Sequence, residues 1–409
     1  MRHIYTSLDI GSDSIKVVVC ELYQNKLNLL ATSSFKSKGI KKGLITDVEL
    51  ASITIKQAIN EVENILNIKI KKVITSVPSY LAEYNIIKGS IKINETVTHE
   101  DVMKSLEVAM KSKVIPGKEM VTILPIDFKV DNKEGIIEPV GLSGSNLDCR
   151  AVLVSVPKKN IYSVVGVLES IGIEVIDISL NNIGDMYAFK NKNFIDKIAA
   201  IINIGSETTS VSLYNRNVVI KSSILNMGGK NIDSDISYMF KVDEATSNRL
   251  KTKFAVATKK FASTHDLYEI KNADGILKVN QLEVSSIVES RLEEILNLAK
   301  NELNNLTSKQ IDYIIITGGV VNTAGFEHLC TDIFPNQAHI GNIKTLGVRN
   351  CKYSACLGNI VYFINKLKLK GKDYTMISDE EASNMVSSNS TRNTSDSILG
   401  KIFGYFFNE

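Results

Sequence analysis

Three turns rich in glycine and hydroxyl side chains carry the residues of this chain that are best suited to chemistry. The first turn lies within residues 9–16 and the second within residues 203–209, and each follows a short apolar run. The third turn, at residues 318–320, follows the apolar run 313–316. Glycine allows the backbone N–H groups of a tight turn to converge on one anion. The pattern therefore predicts phosphate binding.

The order of the turns is more informative than any one of them. An Asp-x-Gly turn after a strand is common in ordinary β-hairpins, so Asp9 and Gly11 alone indicate little. The sequence contains no GxxxxGK[ST] phosphate-binding loop. Three glycine turns, each placed after a buried strand, instead favour a nucleotide held by two similar hairpins and a cleft.

The elements that must position these turns repeat along the chain. Residues 4–19 and 201–214 both show the pattern of two strands joined by a small-residue turn. After the first hairpin we expect a third strand from Lys26, a helix over residues 47–66 and a short strand at 72–77. Three strands, a helix and a strand are most of an RNase-H-like half-domain. The expected fold class is therefore α/β, with a duplicated lobe.

Length and composition exclude several classes of protein. At 409 residues the chain is longer than one hydrophobic core usually serves, so at least two domains are expected. A net charge of +3 is too small to favour nucleic acid as a partner. The five scattered cysteines show no CxxC spacing, and no apolar run approaches the ~18 residues that a membrane span needs. We expect reduced thiols in a cytosolic protein.

The distance between the two hairpins predicts an insertion. A half-domain of this kind needs about 100 to 120 residues, but Asp9 and Asn203 are separated by far more. The predicted domains are a first lobe (1–80 and 158–196), an α+β subdomain inserted in it (81–157), a second lobe (197–228 and 305–352), its subdomain (229–304), a helix returning to the first lobe (353–370), a disordered linker (371–396) and an amphipathic helix (397–409).

Two further segments give the chain a family resemblance. Residues 39–47 read Gly-Ile-Lys-Lys-Gly-Leu-Ile-Thr-Asp, and residues 288–296 belong to a long amphipathic helix predicted over 281–306. With the three glycine turns, they resemble the actin-like ATPase superfamily and, within it, the bacterial cell-division protein FtsA family. The resemblance covers about residues 3–370. It implies two RNase-H-like lobes around a nucleotide cleft, with ATP and Mg²⁺ as cofactors.

The resemblance also implies a set of site residues. Asp9 would lie near the metal and reach Mg²⁺ through water, and Lys251 would lie near the adenine and ribose. The other implied nucleotide-binding residues are Gly11, Ser12, Asp13, Ser14 and Lys16 in the first loop, Asn203, Gly205, Ser206, Glu207, Thr208 and Thr209 in the second, Gly228, Gly229 and Asn231 at the connection between the domains, and Gly318, Gly319 and Val320 beside the adenosine.

Three positions depart from the family pattern. The second loop has Asn203 where the family usually has aspartate and Ser206 where it has glycine, and Asn248 aligns with a glutamate that contacts the ribose. A neutral amide cannot supply the charge that helps to organise Mg²⁺ and water. We therefore expect ATP to be bound as a conformational ligand, with weak or absent hydrolysis and no assigned catalytic residue.

The C-terminal segment has the pattern of an amphipathic helix behind a polar linker. A short apolar helix is often only the edge of a core, but the ~25-residue linker separates this one from any domain. Its apolar face would bind membrane lipid or a partner groove. The residues of that face are Ile398, Leu399, Ile402, Phe403, Phe406 and Phe407. Lysines between 366 and 372 would add attraction to anionic lipid, or would simply be a solvated helix end.

The implied function is that of a structural adaptor at the division site. Such a protein polymerises, binds the C-terminal peptide of FtsZ, and holds FtsZ filaments at the cytoplasmic face of the membrane together with other division proteins. Candidate basic contacts for that acidic peptide are Lys251, Lys253, Lys259, Lys260 and Arg291. The alternatives are a PilM-like pilus-assembly adaptor or, with no motif for a second substrate, a small-molecule kinase of the same superfamily.

Overall fold

The computed structural model describes two compact units. The described residues are 2–113, 115–191, 194, 197–272, 275–343, 345, 350–378 and 381–382. Unit 1 holds the described residues of 2–188, residues 343 and 345, and those of 353–382, and unit 2 holds those of 189–342 and 350–352. Within these described ranges, no helix is long and apolar enough to cross a bilayer.

Unit 1 is built on a five-stranded sheet. Its strand order is β11-β6-β1-β2-β3, and α1 packs on β2 and β3. Asp47 caps α1 by accepting a hydrogen bond from the N–H of Leu50, as expected for an aspartate that precedes a helix. The elements are β1 (His3–Ile10), β2 (Ser14–Tyr23), β3 (Lys26–Lys36), β4 (Ile40–Lys41), β5 (Leu44–Ile45), α1 (Val48–Leu66), β6 (Lys72–Val77), β7 (Glu83–Lys92), α2 (His99–Lys111), β8 (Lys118–Val130), β9 (Lys133–Ile136), β10 (Asn146–Pro157), α3 (Lys158–Ser170), β11 (Glu174–Leu180) and α4 (Asn181–Phe189).

The predicted insertion forms a separate sheet within unit 1. Its strand order is β7-β10-β8-β9, and α2 covers one face with a core that includes Val102, Leu106 and Phe128. Thr98 and Asp101 form a reciprocal capping box at the start of α2. The strand β9 was not predicted, because its four residues carry three exposed side chains and no apolar alternation.

Unit 2 repeats the sheet design. Its strand order is β14-β13-β12-β17-β18, and the predicted long helix is confirmed as α7. The elements are β12 (Ile198–Ile204), β13 (Thr209–Asn215), β14 (Val218–Leu225), α5 (Gly229–Phe240), α6 (Glu244–Arg249), β15 (Leu267–Asn272), β16 (Gly275–Asn280), α7 (Gln281–Leu306), β17 (Tyr313–Thr317), α8 (Phe326–Ile333) and β18 (Ala338–Ile340). A π-helical turn (Leu250–Phe254) and two 3₁₀ turns (Lys259–Phe261 and Val320–Asn322) connect them.

The two sheets share one topology, which confirms the duplicated RNase-H-like design. In each, a three-stranded antiparallel meander is extended by two parallel strands: β6 and β11 beside β1, and β17 and β18 beside β12. The carboxyl ends of parallel strands meet at one edge of a sheet, where α/β proteins bind their ligands. Asp9 lies at that edge of the unit 1 sheet, and Asn203 lies at the corresponding edge of the unit 2 sheet.

The chain returns to unit 1 through a 3₁₀ turn (Cys351–Tyr353) and α9 (Ser354–Lys370). The segment after α9 corrects the predicted start of the linker. The N–H of Met376 donates to the carbonyl of Ile4 at 2.9 Å, and the N–H of Ile4 donates to Thr375 Oγ1 at 3.0 Å. Met376 and Ile377 are buried, so the predicted linker begins with an ordered segment, of which Thr375 and Met376 pair with β1. The rest of the predicted linker and the predicted tail helix fall outside the described residues, apart from 381–382.

Candidate phosphate-binding loops

The first loop is the turn between β1 and β2, at the carboxyl end of β1. The N–H of Gly11 donates to the carbonyl of Ser14 at 3.2 Å, which closes the turn. Ser12 and Asp13 lie at its accessible side, whereas Ser14 is buried at the start of β2. A Cβ on Gly11 would lie 2.9 Å from the carbonyl oxygen of Ser14. The turn is therefore too tight for a side chain at this position.

A buried ion pair stands beneath the first loop. Lys16 Nζ lies 2.8 Å from Asp9 Oδ2, and both side chains are about nine-tenths buried. Burial alone would lower the pKa of Lys16, but the Asp9 carboxylate outweighs it and holds that pKa above its ordinary value. The other carboxylate oxygen, Asp9 Oδ1, is buried and has no hydrogen-bond partner within the described ranges. An unpaired buried carboxylate oxygen is costly, so it indicates a bound water or ion.

A neighbouring segment braces the first loop. Ser37 Oγ donates to the carbonyl of Gly11 at 2.6 Å, and the N–H of Ser37 donates to that of Asp13 at 2.8 Å. The N–H of Gly43 donates to Ser12 Oγ at 2.7 Å. Gly43 has φ +75°, a conformation that favours glycine. Ser37 and, from the family-like segment 39–47, Gly43 thus fix the backbone of the first loop, a role that the sequence did not reveal.

The second loop is the turn between β12 and β13, and the start of α5 holds it. The N–H of Gly205 donates to the carbonyl of Thr208 at 2.9 Å and closes the turn. The N–H groups of Gly229 and Lys230 donate to the carbonyls of Gly205 and Ser206, at 2.9 and 2.7 Å. Two of the free N–H groups of the α5 N-terminus are therefore used to fix the loop.

The connecting residues around this loop are equally constrained. The side chain of Asn231 accepts the N–H of Gly228 at 2.9 Å, and Thr209 Oγ1 donates to the carbonyl of Met227 at 2.8 Å. A Cβ on Gly228 would lie 2.6 Å from the carbonyl oxygens of both Gly205 and Ser206. No side chain fits there without moving the loop. Ser206 and Thr208 remain partly accessible.

The third turn packs directly on the second loop. Gly318 has φ +104°, and a Cβ on it would lie 2.2 Å from the carbonyl oxygen of Ile204. Val320 lies on the other side of the same region, 3.1 Å from the position of a Cβ on Gly229. Thr317 Oγ1, at the carboxyl end of β17, is buried and has no partner in the described part of the chain. Unit 2 therefore brings the second loop, residues 228–231 and residues 318–320 together.

Lys251 joins the same region from the π-helical turn. Its Nζ lies 2.7 Å from Asp233 Oδ2 and donates to the carbonyl of Gly229 at 3.0 Å. Asn248 Nδ2 donates to the same carboxylate at 3.3 Å. Because Lys251 is nine-tenths buried, its interpretation as a surface contact for a peptide is wrong. A π-helical turn is often found at a functional site.

Two charged residues of this region, Lys230 and Asp233, were not among the predicted site residues. Both follow the predicted glycine pair at the start of α5, and that proximity was the available signal. No group of three or more His, Cys, Asp or Glu side chains that could hold a metal occurs among the described residues. Asp9, which is predicted to lie near the metal, has one carboxylate oxygen, Oδ1, that is buried and has no hydrogen-bond partner among the described residues.

Two family models match the chain. The model described as "Cell division protein FtsA" matches residues 200–358, and "SHS2 domain inserted in FTSA" matches residues 83–155. The second match falls on the inserted sheet and α2, so the inserted α+β subdomain is confirmed. The first match begins within β12 and ends in α9.

Curated relatives and solved structures agree with these matches. The chain is 26% identical over 387 residues to the cell division protein FtsA of Bacillus subtilis, covering 93% of this chain and 88% of that one. It is 27% identical over 351 residues to the FtsA of Streptococcus pneumoniae, covering 85% and 77%.

Among solved structures, a PilM-PilN type IV pilus biogenesis complex matches with a TM-score of 0.58 at 14% identity, covering 88% of this chain and 98% of that one. MreB5 of Spiroplasma citri bound to ADP matches with a TM-score of 0.54 at 13% identity, covering 90% and 98%. At such identities these likenesses show the fold alone, and that fold is actin-like. The two family models, which together match more than half of the chain, and the FtsA relatives establish that the chain belongs to the FtsA family of cell-division proteins, within the actin-like superfamily.

Proposed function

We propose that this chain is an ATP-binding adaptor of cell division whose first and second loops bind the phosphates of MgATP. The observation that carries the proposal is the backbone cradle of unit 2, in which Gly228 and Gly318 leave no room for a Cβ beside the second loop. This close packing of backbone segments fixes the second loop, as a loop that presents its N–H groups to a phosphate requires. The solved MreB5 structures with ADP and AMPPNP support a nucleotide as the ligand of this fold.

The residues of each loop have distinct roles in this proposal. In the first loop, the N–H groups and hydroxyls of residues 11–14 bind phosphate, while Lys16 supplies positive charge from below. In the second, the backbone N–H groups and hydroxyls of residues 205–209 bind phosphate, and the 228–231 turn keeps the loop closed. Gly319 and Val320 contact the adenosine. Lys251 and its partner Asp233 lie where the ribose and adenine bind.

Magnesium would neutralise phosphate charge at the first loop. Asp9 Oδ1 fits this role because it is buried, charged and without a protein partner in the described ranges. Mg²⁺ often keeps several waters and takes few carboxylates beside its phosphates. With Asn203 in place of an aspartate, this position of the second loop has no carboxylate to orient an attacking water. We therefore propose slow or absent hydrolysis.

Binding of the FtsZ C-terminal peptide is proposed for residues 229–304. Tyr238 and Met239 at the end of α5 are exposed to 85% and 61%, which is unusual for large apolar side chains and typical of a docking surface. Lys259 and Lys260 are exposed and pair only loosely, at 3.8 and 3.5 Å, with Glu289 and Asp332. Arg291 is instead held by the Asp235 carboxylate through two nitrogens.

Membrane attachment and polymerisation complete the proposal. The predicted tail helix, residues 397–409, binds lipid through its apolar face, and a filament presents many tails at once. Tethering raises the effective concentration of each later contact, so polymerisation controls attachment at the inner face of the membrane. Deleting residues 396–409 should abolish flotation with anionic liposomes and leave MgATP affinity unchanged. Unchanged flotation would reject the anchor.

A peptide-binding comparison tests the adaptor role most simply. The full chain should bind the FtsZ C-terminal peptide and not a PilN-type peptide, because its curated relatives are FtsA proteins and the PilM likeness is one of fold alone. Tyr238→Ala should weaken FtsZ binding, whereas Tyr162→Ala, which removes an exposed tyrosine of α3, should not. Preference for the pilus peptide would overturn the assignment. No observation here favours a small-molecule kinase.

A further inference from the structure

The second loop contains an acid at a position that is expected to face phosphate. Glu207 lies in the turn 205–208, between two residues that are proposed to bind the polyphosphate. A carboxylate repels a phosphate of the same sign. Its effect on binding therefore depends on what neutralises it.

Lys230 is that neutralising group. Its Nζ lies 2.8 Å from Glu207 Oε1, and the two side chains are 39% and 18% exposed. Lys230 is the second residue of α5, and its backbone N–H is bonded to the carbonyl of Ser206 in the same loop. Lys230 thus fixes the loop through its main chain and forms an ion pair with Glu207 through its side chain.

The loop and the ammonium group differ in mobility. The loop is held by the N–H groups of Gly229 and Lys230, so the backbone of the turn that carries Glu207 cannot be displaced without breaking hydrogen bonds. The Lys230 side chain has four rotatable bonds and is partly in solvent. When a phosphate enters, Lys230 can turn toward it while the backbone at Glu207 stays in place.

We propose that the Glu207–Lys230 ion pair is a charge gate on the second loop that sets nucleotide affinity and discriminates against the triphosphate. The proposal rests on the proposed function, since it assumes that this loop binds phosphate. In the closed gate Lys230 neutralises Glu207. In the nucleotide complex Lys230 is shared between Glu207 and a phosphate, so Glu207 is less neutralised and repels that phosphate. Because ATP carries one more negative charge than ADP, the penalty is larger for ATP.

Charge-removing variants of the full chain test the gate. MgATP and MgADP are titrated by calorimetry into the wild type, Glu207→Gln, Lys230→Gln and a control, Glu269→Gln. The control removes the acid of another ion pair in unit 2, between Lys278 and Glu269 at 3.1 Å, on the hairpin β15–β16. A partly exposed pair is worth up to about 1 kcal/mol, so Glu207→Gln should tighten MgATP about fivefold.

The expected pattern has three parts. Glu207→Gln tightens MgATP more than MgADP, Lys230→Gln weakens both, and Glu269→Gln changes neither. The gain of Glu207→Gln shrinks as salt is raised, because the repulsion that it removes is screened. A pair that only braced the loop would give equal effects on the two nucleotides and no salt dependence.

Several results would overturn the gate. Unchanged or weaker MgATP binding by Glu207→Gln, with a wild-type melting temperature, would show that the acid does not oppose phosphate. If Glu207→Gln does not fold, Lys230→Gln decides, since unchanged affinity there contradicts the proposal. A wild type that binds neither nucleotide would refute the proposed function itself, whereas a wild type that binds both with no effect of Glu207→Gln refutes the gate alone.

Discussion

Replacing Gly318 by alanine tests the unit 2 cradle most quantitatively. The residue has φ +104°, where an L-residue is strained by about 1–3 kcal/mol. The added Cβ would also lie 2.2 Å from the Ile204 carbonyl oxygen and 2.7 Å from its carbonyl carbon. These are backbone atoms at the start of the second loop, so they cannot rotate away. Overpacking of this kind costs a further ~1–3 kcal/mol.

The neighbouring glycine is a matched control. Gly319 has φ −67° and ψ −31°, is exposed, and has nothing within 4 Å of an added Cβ. Gly319→Ala should therefore change stability by less than about 1 kcal/mol, and the reduced freedom of its unfolded chain favours stabilisation. Gly318→Ala should lose about 2–6 kcal/mol of unfolding free energy by the two costs just given.

Urea denaturation followed by far-UV circular dichroism measures the difference, and MgATP titration measures its effect on the site. Gly318→Ala should also weaken MgATP affinity by more than about tenfold, which corresponds to about 1.4 kcal/mol of binding free energy. The reason is that the strand end at Ile204, where the second loop begins, must move to relieve the clash. Gly319→Ala is a control for stability alone, because Gly319 is proposed to contact the adenosine. Wild-type stability and wild-type MgATP affinity in Gly318→Ala would refute the cradle.

Three further predictions follow from unit 1 and the thiols. Met376→Ala should cost about 2 kcal/mol in urea denaturation, because it removes a buried side chain from the segment docked on β1, and wild-type stability would contradict that docking. Asp101→Asn should cost about 1 kcal/mol at neutral pH. Hydrogen bonds from Thr98 hold the pKa of Asp101 below its usual value, so its contribution is complete above the unfolded pKa of about 4 and is lost as pH falls through the folded one. The penalty should then vanish in acid, and a pH-independent penalty would contradict the capping box. All five thiols should resist a thiol reagent at pH 8 in the native protein and react after unfolding, because all are buried. Burial raises the pKa of Cys330 and Cys356 to about 12. Fast reaction of the native protein would contradict their burial.

Much of the fold could be predicted because it depends on local patterns. The strand–turn–strand pattern around Gly11 and Gly205, and the 3.6-residue period of α7, appear directly in the sequence. The duplicated topology followed from two such hairpins. The SHS2 insertion followed from the excess distance between them.

What could not be predicted depends on contacts between distant residues. The docked segment around Met376 looks polar and linker-like, and only its pairing with Ile4, 372 positions away in sequence, orders it. The sequence assigned Lys251 both to the adenine and ribose and to a basic peptide contact, and only the fold revealed Asp233 beside it. The pairing of Glu207 with Lys230 likewise requires α5 to begin beside the second loop. Single-sequence patterns carry no information about such partners.

Hydrogen exchange of the full chain with and without MgATP reports on each loop separately, so it shows whether both loops bind the nucleotide. MgATP should slow exchange at residues 9–16, 203–209 and 228–231. Exchange should change little at α2 of the inserted subdomain, which is not proposed to contact the nucleotide. Nucleotide binding that leaves both loops exchanging at their original rates would contradict the proposed binding by both loops.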